Sequence, residues 1–172
     1  PSVSSFTLSD TELITGDNAT VTLVFSEAVA SFSSSADITV ANGTLAAMSS
    51  ADNITWAGTF TPTANTEDDN NTLSLATSYT DTAGNAGPAE TTANYAVETL
   101  APSVNSFTLS DTALKAGDNA TVTLVFSEAV ASFSSDADIT AAGTAGAADN
   151  GSLATMTSSD NKTWEGTFTP PV

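Results

Sequence analysis

The sequence predicts an all-β protein that contains two copies of one β-sandwich domain, the second copy being incomplete. Residues 1–38 recur as residues 102–139, and 33 of these 38 positions are identical. Within each copy, apolar side chains alternate with Ser and Thr on a two-residue period, which is typical of half-buried strands. Clusters of Gly, Asn and Asp separate the alternating segments, as tight turns require. A repeat close to one domain in length indicates tandem domains rather than a short-repeat solenoid.

The alternating segments of the first copy predict seven short strands, lettered A to G in chain order. They span residues 3–9, 19–26, 29–41, 44–49, 53–61, 72–79 and 91–98. Seven such strands in about a hundred residues are typical of an immunoglobulin-like sandwich. Trp56 and Trp164 each stand in an alternating apolar series, which favours packing in the core over stacking on a ligand.

The second copy departs from the first after Ile139. Trp56 matches Trp164 and Pro62 matches Pro170, so seven additional residues are inserted near 143–150. The match then stops, and no residues correspond to the predicted strands F and G. Because F is a central strand in this topology, its loss exposes an apolar face and unpaired backbone edges. The second copy is therefore expected to be unstable alone.

Three segments follow from this alignment. We expect a complete domain at residues 1–98, a linker at 99–102 and a partial domain at 103–172. The missing strands are expected in a native continuation of the chain. The alternative is strand exchange with another chain at the incomplete repeat.

The composition excludes several classes of function. Twenty acidic residues face two lysines, with no arginine or histidine, which gives a net charge of −18. Such a chain is not expected to bind nucleic acid or an anionic membrane surface, since both require basic residues. Without His or Cys there is no catalytic triad, zinc site or reactive thiol, so an enzyme is not expected. No apolar stretch is long enough to cross a membrane. The charge is consistent with cation binding and equally with solubility alone.

Four segments resemble a known family: VTLVFSEAV, ITWAGTFTPT, SYTDTAGNAGP and YAVETLAPSV. They are similar to bacterial Ig-like repeats that act as extender modules of giant RTX-type and biofilm-associated surface adhesins. The resemblance covers the whole chain except the insertion. It implies a secreted protein at the bacterial cell surface, with neighbouring repeats arranged in a long array between an anchor and a distal binding domain. It also implies stiffening by calcium.

The acidic residues predict where calcium would bind. Ca²⁺ takes six to eight oxygen ligands from carboxylates and carbonyls, and alternate loops of a sandwich gather at opposite ends. The residues expected at the N-terminal end are Glu27, Asp81 and Asn85. Those expected at the opposite end are Asp10, Glu12, Asp17, Glu67, Asp68, Asp69 and Glu98. Asp111 and Glu128 are the counterparts of Asp10 and Glu27 in the second copy.

Glu128 is further expected to complete a calcium site at the junction of the two copies, together with Glu98 and its neighbours. Two simpler interpretations stay open: Glu67, Asp68 and Asp69 form a solvated loop, and Glu27 caps a strand. For the whole chain, the sequence favours a structural spacer over a module that binds a glycan or surface protein. Nearly identical repeats resemble interchangeable spacers, and the Ala- and Gly-rich insertion offers few side chains for recognition.

Overall fold

The computed structural model describes residues 1–140 and 150–171. The chain divides into two compact units, Pro1–Ala101 and Pro102–Val172. The elements of the first unit are β1 (Val3–Leu8), β2 (Glu12–Ile14), β3 (Ala19–Phe25), α1 (Ser34–Asp37), β4 (Ile38–Val40), β5 (Gly43–Leu45), β6 (Thr55–Pro62), β7 (Glu67–Asn71), β8 (Leu73–Leu75), β9 (Glu90–Thr91) and β10 (Tyr95–Glu98). Those of the second are β11 (Val104–Leu109), β12 (Ala120–Phe126), α2 (Ser135–Asp138), β13 (Ser152–Leu153) and β14 (Thr163–Thr169).

One four-stranded antiparallel sheet of the first unit has the order β1-β3-β6-β5. The two-residue period decides which side chains point inward. In β3, Ala19, Val21, Leu23 and Phe25 are buried, while the intervening residues are exposed or half-buried. This sheet therefore presents one apolar face to the core.

The second layer consists of two three-stranded sheets, β2-β10-β7 and β4-β8-β9. The two sheets are built from the same two chain segments. Thr72 alone separates β7 from β8 in the first segment, and residues 92–94 separate β9 from β10 in the second. Segments 67–75 and 90–98 thus form one antiparallel hairpin, which carries the core residues Leu73, Leu75, Tyr95 and Val97. β2 joins β10 in parallel and adds Leu13 to the same core.

The core of the first unit lies between these two layers and is rich in aromatic contacts. Phe25 lies 4.9 Å from Tyr79, and Phe60 lies 5.2 Å from Tyr95, between ring centroids. The hydroxyl of each buried tyrosine also donates a hydrogen bond to a backbone carbonyl. Tyr79 donates to the Pro88 carbonyl over 2.8 Å, and Tyr95 donates to the Ala41 carbonyl. Burial raises the pKa of Tyr95 to about 12.

Trp56 belongs to this core rather than to a ligand site. It is half-buried, packs against the buried cluster and meets Phe32 edge to face at 4.9 Å. Trp164 meets Phe133 in the same way at 5.0 Å. The interpretation of both tryptophans as packing residues is confirmed.

The second unit repeats only the first sheet, in the order β11-β12-β14-β13. Its registers match those of the first unit: Phe107 pairs with Leu124 as Phe6 pairs with Leu23. Within residues 102–140 and 150–171 there is no counterpart of the second layer, so the predicted loss of strands F and G is confirmed. The consequence is a cluster of only three buried residues, Val122, Leu124 and Met156.

Four predicted strands of the first unit differ from the structure. Strand D, expected at 44–49, is only Gly43–Leu45, and strand G, expected at 91–98, is interrupted at residues 92–94. The other two are C and F. Residues 29–41 were expected to be continuous strand, but the one-turn helix α1 precedes the short β4. Polar side chains cause the change: the Asp37 carboxylate accepts the Ser33 N–H over 2.7 Å, and the Ser34 hydroxyl accepts the Met48 N–H over 2.9 Å. These bonds favour a turn over an extended ladder.

The predicted strand F was placed at residues 72–79, whereas the structure has strand over Glu67–Asn71 and Leu73–Leu75. Glu67, Asp68 and Asp69 therefore lie in β7 and not in a loop, so that part of the solvated-loop interpretation was wrong, although Glu67 and Asp69 are exposed to solvent. β7 is the outer strand of its sheet, where polar residues are tolerated on both sides. That position explains why its sequence shows no apolar alternation. The insertion near 143–150 lies outside the described residues except for Asn150.

Candidate metal-binding loops

Two acidic side chains expected at the N-terminal end of the first unit lie in neighbouring loops. Glu27 follows β3, and Asp81 lies in the loop after β8, bridged to Val29. The Pro1 nitrogen lies 3.0 Å from Glu27 Oε1 and 4.0 Å from Asp81 Oδ2. Glu27 is exposed, whereas Asp81 is buried. The two carboxylates therefore lie close to the same point.

The Asp81 carboxylate also organises its own loop. Its Oδ1 accepts the N–H groups of Ala83 and Asn85, each over 2.8 Å, and its Oδ2 accepts Asn85 Nδ2 over 2.8 Å. The Asn85 side chain contributes most to holding the Asp81 pKa below its ordinary value, followed by the Asn85 N–H. Gly84 completes the turn with a φ of +89°, which other residues rarely adopt. Asn85 thus acts on Asp81 as a hydrogen-bond donor.

At the opposite end, the acidic side chains lie along strands rather than in one loop. Glu67 of β7 and Glu98 of β10 stand directly opposite each other in the antiparallel ladder. Side chains at such positions project from the same face about 5 Å apart, and like charges there destabilise the sheet. A cation between Glu67 and Glu98 would remove this repulsion.

Glu98 Oε1 accepts the Leu100 N–H over 3.0 Å, and the remaining acids at that end also bind groups of their own chain. The Asp68 carboxylate accepts Asn42 Nδ2 over 2.8 Å, and Asp17 accepts the Ile14 N–H over 3.0 Å. Asp10 accepts the N–H of Glu12 over 3.0 Å. Asp69 is exposed, and its carbonyl accepts Asn94 Nδ2 over 2.7 Å. Asp10 and Asp17 thus have turn-forming roles, and Asp68 binds the Asn42 side chain; none of these bonds needs a metal.

The acidic residues of the second unit repeat this pattern in part. Asp111 accepts the Ala113 N–H over 2.8 Å, as Asp10 accepts that of Glu12. Glu128 is half-buried just after β12. Over residues 1–140 and 150–171, no three acidic side chains stand close enough to hold one metal ion between them. The calcium ligands, including those at the junction, stay a prediction.

A pair of aspartates, one in each unit, holds the turns that precede β6 and β14. Asp52 Oδ1 accepts the N–H groups of Ile54 and Thr55, and Asp160 accepts those of Lys162 and Thr163. The N–H of Thr163, then that of Lys162, lowers the pKa of Asp160 to about 2. The pattern Ser-x-Asp-Asn recurs before both strands and is the sequence signal of these turns. These turns fix the start of β6 and β14.

Comparison with known families agrees with this architecture. The model of the bacterial Ig-like domain family matches residues 1–97 and again residues 98–172. The chain belongs to the bacterial Ig-like domain family. Searches of curated proteins and of solved structures found no significant match to it. Among the described residues, no helix of this bacterial Ig-like protein has the length and apolar character of a membrane span.

The hydrogen bonds around Asp81 predict a specific pH dependence. A carboxyl whose pKa is lowered on folding stabilises the folded state above its unfolded pKa, and this contribution disappears as the pH falls through the folded value. Asn85→Ala removes the first cause of the lowered pKa. The variant should therefore lose stability at pH 7, and the loss should shrink as the pH falls below about 4, near the ordinary Asp value.

Urea unfolding of both proteins between pH 7 and pH 2 measures this difference. Asn94→Ala is the matched control, since its side chain bonds to the backbone of Asp69 and Asn71. Its effect should be constant over the same range. A loss in Asn85→Ala that is equally large at pH 2 and pH 7 would show that Asp81 is not the responsible group.

Proposed function

We propose that this chain is a structural spacer of a secreted bacterial surface adhesin, built from tandem Ig-like units. The supporting observation is the repetition of one sheet with almost no variation. β3 and β12 have the same sequence, ATVTLVF, and pair with their neighbours in the same register. Selection for a specific binding surface would be expected to diversify units, whereas a spacer needs only that each unit folds.

The outer surfaces of the sheets support a spacer over a binding module. The outward residues of β3 and β6 are mostly Thr, as in Thr20, Thr22, Thr59 and Thr61. Binding sites usually combine a concave apolar pocket with a few converging polar groups. In the first unit, the loop side chains of Asp17 and Asp52 instead hold their own turns. A net charge of −18 keeps such units soluble and apart.

The N-terminal end of the first unit is the first proposed calcium site. There the carboxylates of Glu27 and Asp81 approach one point, at 3.0 Å and 4.0 Å from the Pro1 nitrogen. We propose that these two carboxylates hold Ca²⁺ when it binds there, with backbone carbonyls and water completing the ligand set. The ion would supply charge neutralisation and a link between the loop after β3 and the loop after β8. Glu67 and Glu98 are the second proposed pair, because they oppose each other as like charges.

The calcium proposal predicts a rise in melting temperature. Calcium that binds only the folded state at ten times its dissociation constant adds about 1.4 kcal/mol to the free energy of unfolding. For a domain of this size the melting temperature would increase by roughly 5 to 10 °C. The measurement is a thermal melt of the full chain in excess chelator, then in increasing calcium, with magnesium as a control.

Matched double variants locate the site. Glu27→Gln with Asp81→Asn should remove the calcium response if the N-terminal pair binds the ion, whereas Glu67→Gln with Glu98→Gln should remove it if the strand pair does. The second double variant should also raise the melting temperature in chelator, because it removes a like-charge pair. If the melting temperature of the original chain does not change up to several millimolar calcium, the calcium proposal is wrong and packing alone stabilises the units.

The spacer function itself predicts mechanical resistance without ligand binding. Pulling the full chain from its ends should give an unfolding event of the first unit. Unfolding Pro1–Ala101 releases a chain of 101 residues, which corresponds to roughly 33–36 nm at 3.3–3.6 Å per residue. The same chain should show no saturable binding in a screen of glycans and surface proteins. Saturable binding that is lost on mutation of one loop would support the binding module instead.

A further inference from the structure

The corner between β4 and β5 contains a chemically labile pair of residues, Asn42 and Gly43. Asparagine is one of the thermolabile residues of proteins. It is most labile before glycine, because glycine has no Cβ that would shield its backbone nitrogen. That nitrogen can attack the carbonyl carbon of the asparagine side chain. The pair is therefore a candidate site of deamidation.

The fold requires both residues of this pair. A Cβ at Gly43 would overlap the ring of Phe60, so no larger residue fits there. Asn42 has a φ of +45°, a left-handed conformation that asparagine tolerates better than most residues. The steric requirement recurs in the second unit, where a Cβ at Gly151 would meet the ring of Phe168. The labile pair is thus a consequence of the packing at this corner.

The side chain of Asn42 holds β7 in place. Its Nδ2 donates to Asp68 Oδ2 over 2.8 Å and to Asn71 Oδ1 over 2.7 Å, so both amide hydrogens are bound. Asn71 is 2% exposed, and its own amide donates to the carbonyls of Asp68 and Tyr95. β7 is an outer strand that pairs with β10 alone in its sheet. The two bonds from Asn42 therefore add to the attachment of an outer strand.

These contacts also oppose the reaction of the pair. The Asn42 backbone is held as well, since its carbonyl accepts the Thr63 N–H over 2.9 Å. For cyclisation the side-chain carbonyl carbon of Asn42 must turn toward the Gly43 nitrogen, and this movement breaks the bonds of Nδ2 to β7. Reaction is therefore expected when Asn42 and β7 have separated.

We propose that Asn42 is a site of spontaneous deamidation whose reaction requires the release of β7 and then prevents β7 from binding again. The Gly43 nitrogen forms a bond to the side-chain carbon of Asn42 and loses its proton. The bond from that carbon to Nδ2 breaks, and Nδ2 leaves with this proton as ammonia. Water then opens the succinimide ring at one of its two carbonyl carbons, which gives aspartate or isoaspartate. No oxidant or reductant takes part.

The product lacks what β7 needs. A carboxylate in place of the Asn42 amide has no N–H to donate, so Asp68 Oδ2 and Asn71 Oδ1 both lose their donor. It also brings a second negative charge to the Asp68 carboxylate, and like charges at this distance repel. The reaction thus converts a transient opening of β7 into a permanent one. This inference depends neither on the spacer function nor on calcium.

The rate of deamidation tests the dependence on β7. The full chain is incubated at mildly alkaline pH, in buffer and in guanidinium chloride, and peptide mass spectrometry follows the conversion of Asn42 to the acid. The rate in the folded chain should be many-fold lower than in the unfolded chain. Equal rates, or no conversion in either state, would overturn the proposal.

Three variants of β7 test the bonds of Nδ2, each compared with its own unfolded chain. Asp68→Ala removes one acceptor and should raise the folded-state rate several-fold. Asp68→Asn keeps an acceptor oxygen and should stay close to the original rate. Asp69→Ala is the matched control, because it removes a charge from the next residue, which is exposed and does not bind Asn42. Equal acceleration by Asp68→Ala and Asp69→Ala would show that charge, and not the contact with β7, sets the rate.

Asn42→Asp imitates the product directly. Asn42→Gly is its control, since glycine keeps the left-handed backbone and removes the amide without adding a charge. At pH 7 the Asn42→Asp chain should unfold at lower urea than the Asn42→Gly chain, because its new carboxylate faces that of Asp68. Protonation removes this repulsion, so the difference should disappear as the pH falls below about 4, near the ordinary pKa of Asp. An Asn42→Asp chain as stable as the original at pH 7 would contradict the proposed loss of β7.

Discussion

The first unit depends on the burial of one sheet face by a single hairpin. Phe6, Leu23 and Phe25 supply that face, and the segments around Leu73 and Tyr95 cover it. Burying a large apolar side chain contributes about 1.5–3 kcal/mol relative to exposure. With no cysteine in the sequence, no disulfide adds to this packing. Among the described residues, the same sheet contributes to a cluster of sixteen buried apolar residues in the first unit and to a cluster of three in the second.

Polar contacts complement this packing and set the positions of the loops. Asn71, the last residue of β7, is 2% exposed, and its amide binds the carbonyls of Asp68 and Tyr95 and the side chain of Asn42. These bonds satisfy a buried amide where the strand is interrupted, and an unsatisfied amide there would be costly. Aspartates close the turns in the same manner in both units. Individual acidic side chains of this chain therefore have structural roles in turns. Calcium binding by acidic side chains is a proposal.

The sequence predicted the sheet shared by both units well, because its strands alternate cleanly and its turns use Gly, Asn and Asp. The sequence-based prediction was wrong where hydrogen bonds of polar side chains determine the backbone conformation. α1 arises from bonds of Ser34 and Asp37 to distant N–H groups, and β7 is a polar outer strand without alternation. β2, which pairs with β10, was also read as part of a loop. The predicted topology was enough to place Glu27 and Asp81 at the same end of the sandwich. That Glu67 lies opposite Glu98 could be recognised only from the register of β7 and β10 in the structure.

Amide hydrogen exchange of the full chain, resolved by NMR, tests the central claim most directly. β3 and β12 have the same sequence and the same register, so their intrinsic exchange rates are nearly equal and only the covering layer differs. The account predicts strong protection at Val21, Leu23 and Phe25 and much faster exchange at Val122, Leu124 and Phe126. Equal protection of the two strands would contradict it, since the hairpin would then contribute little to the stability of the sheet.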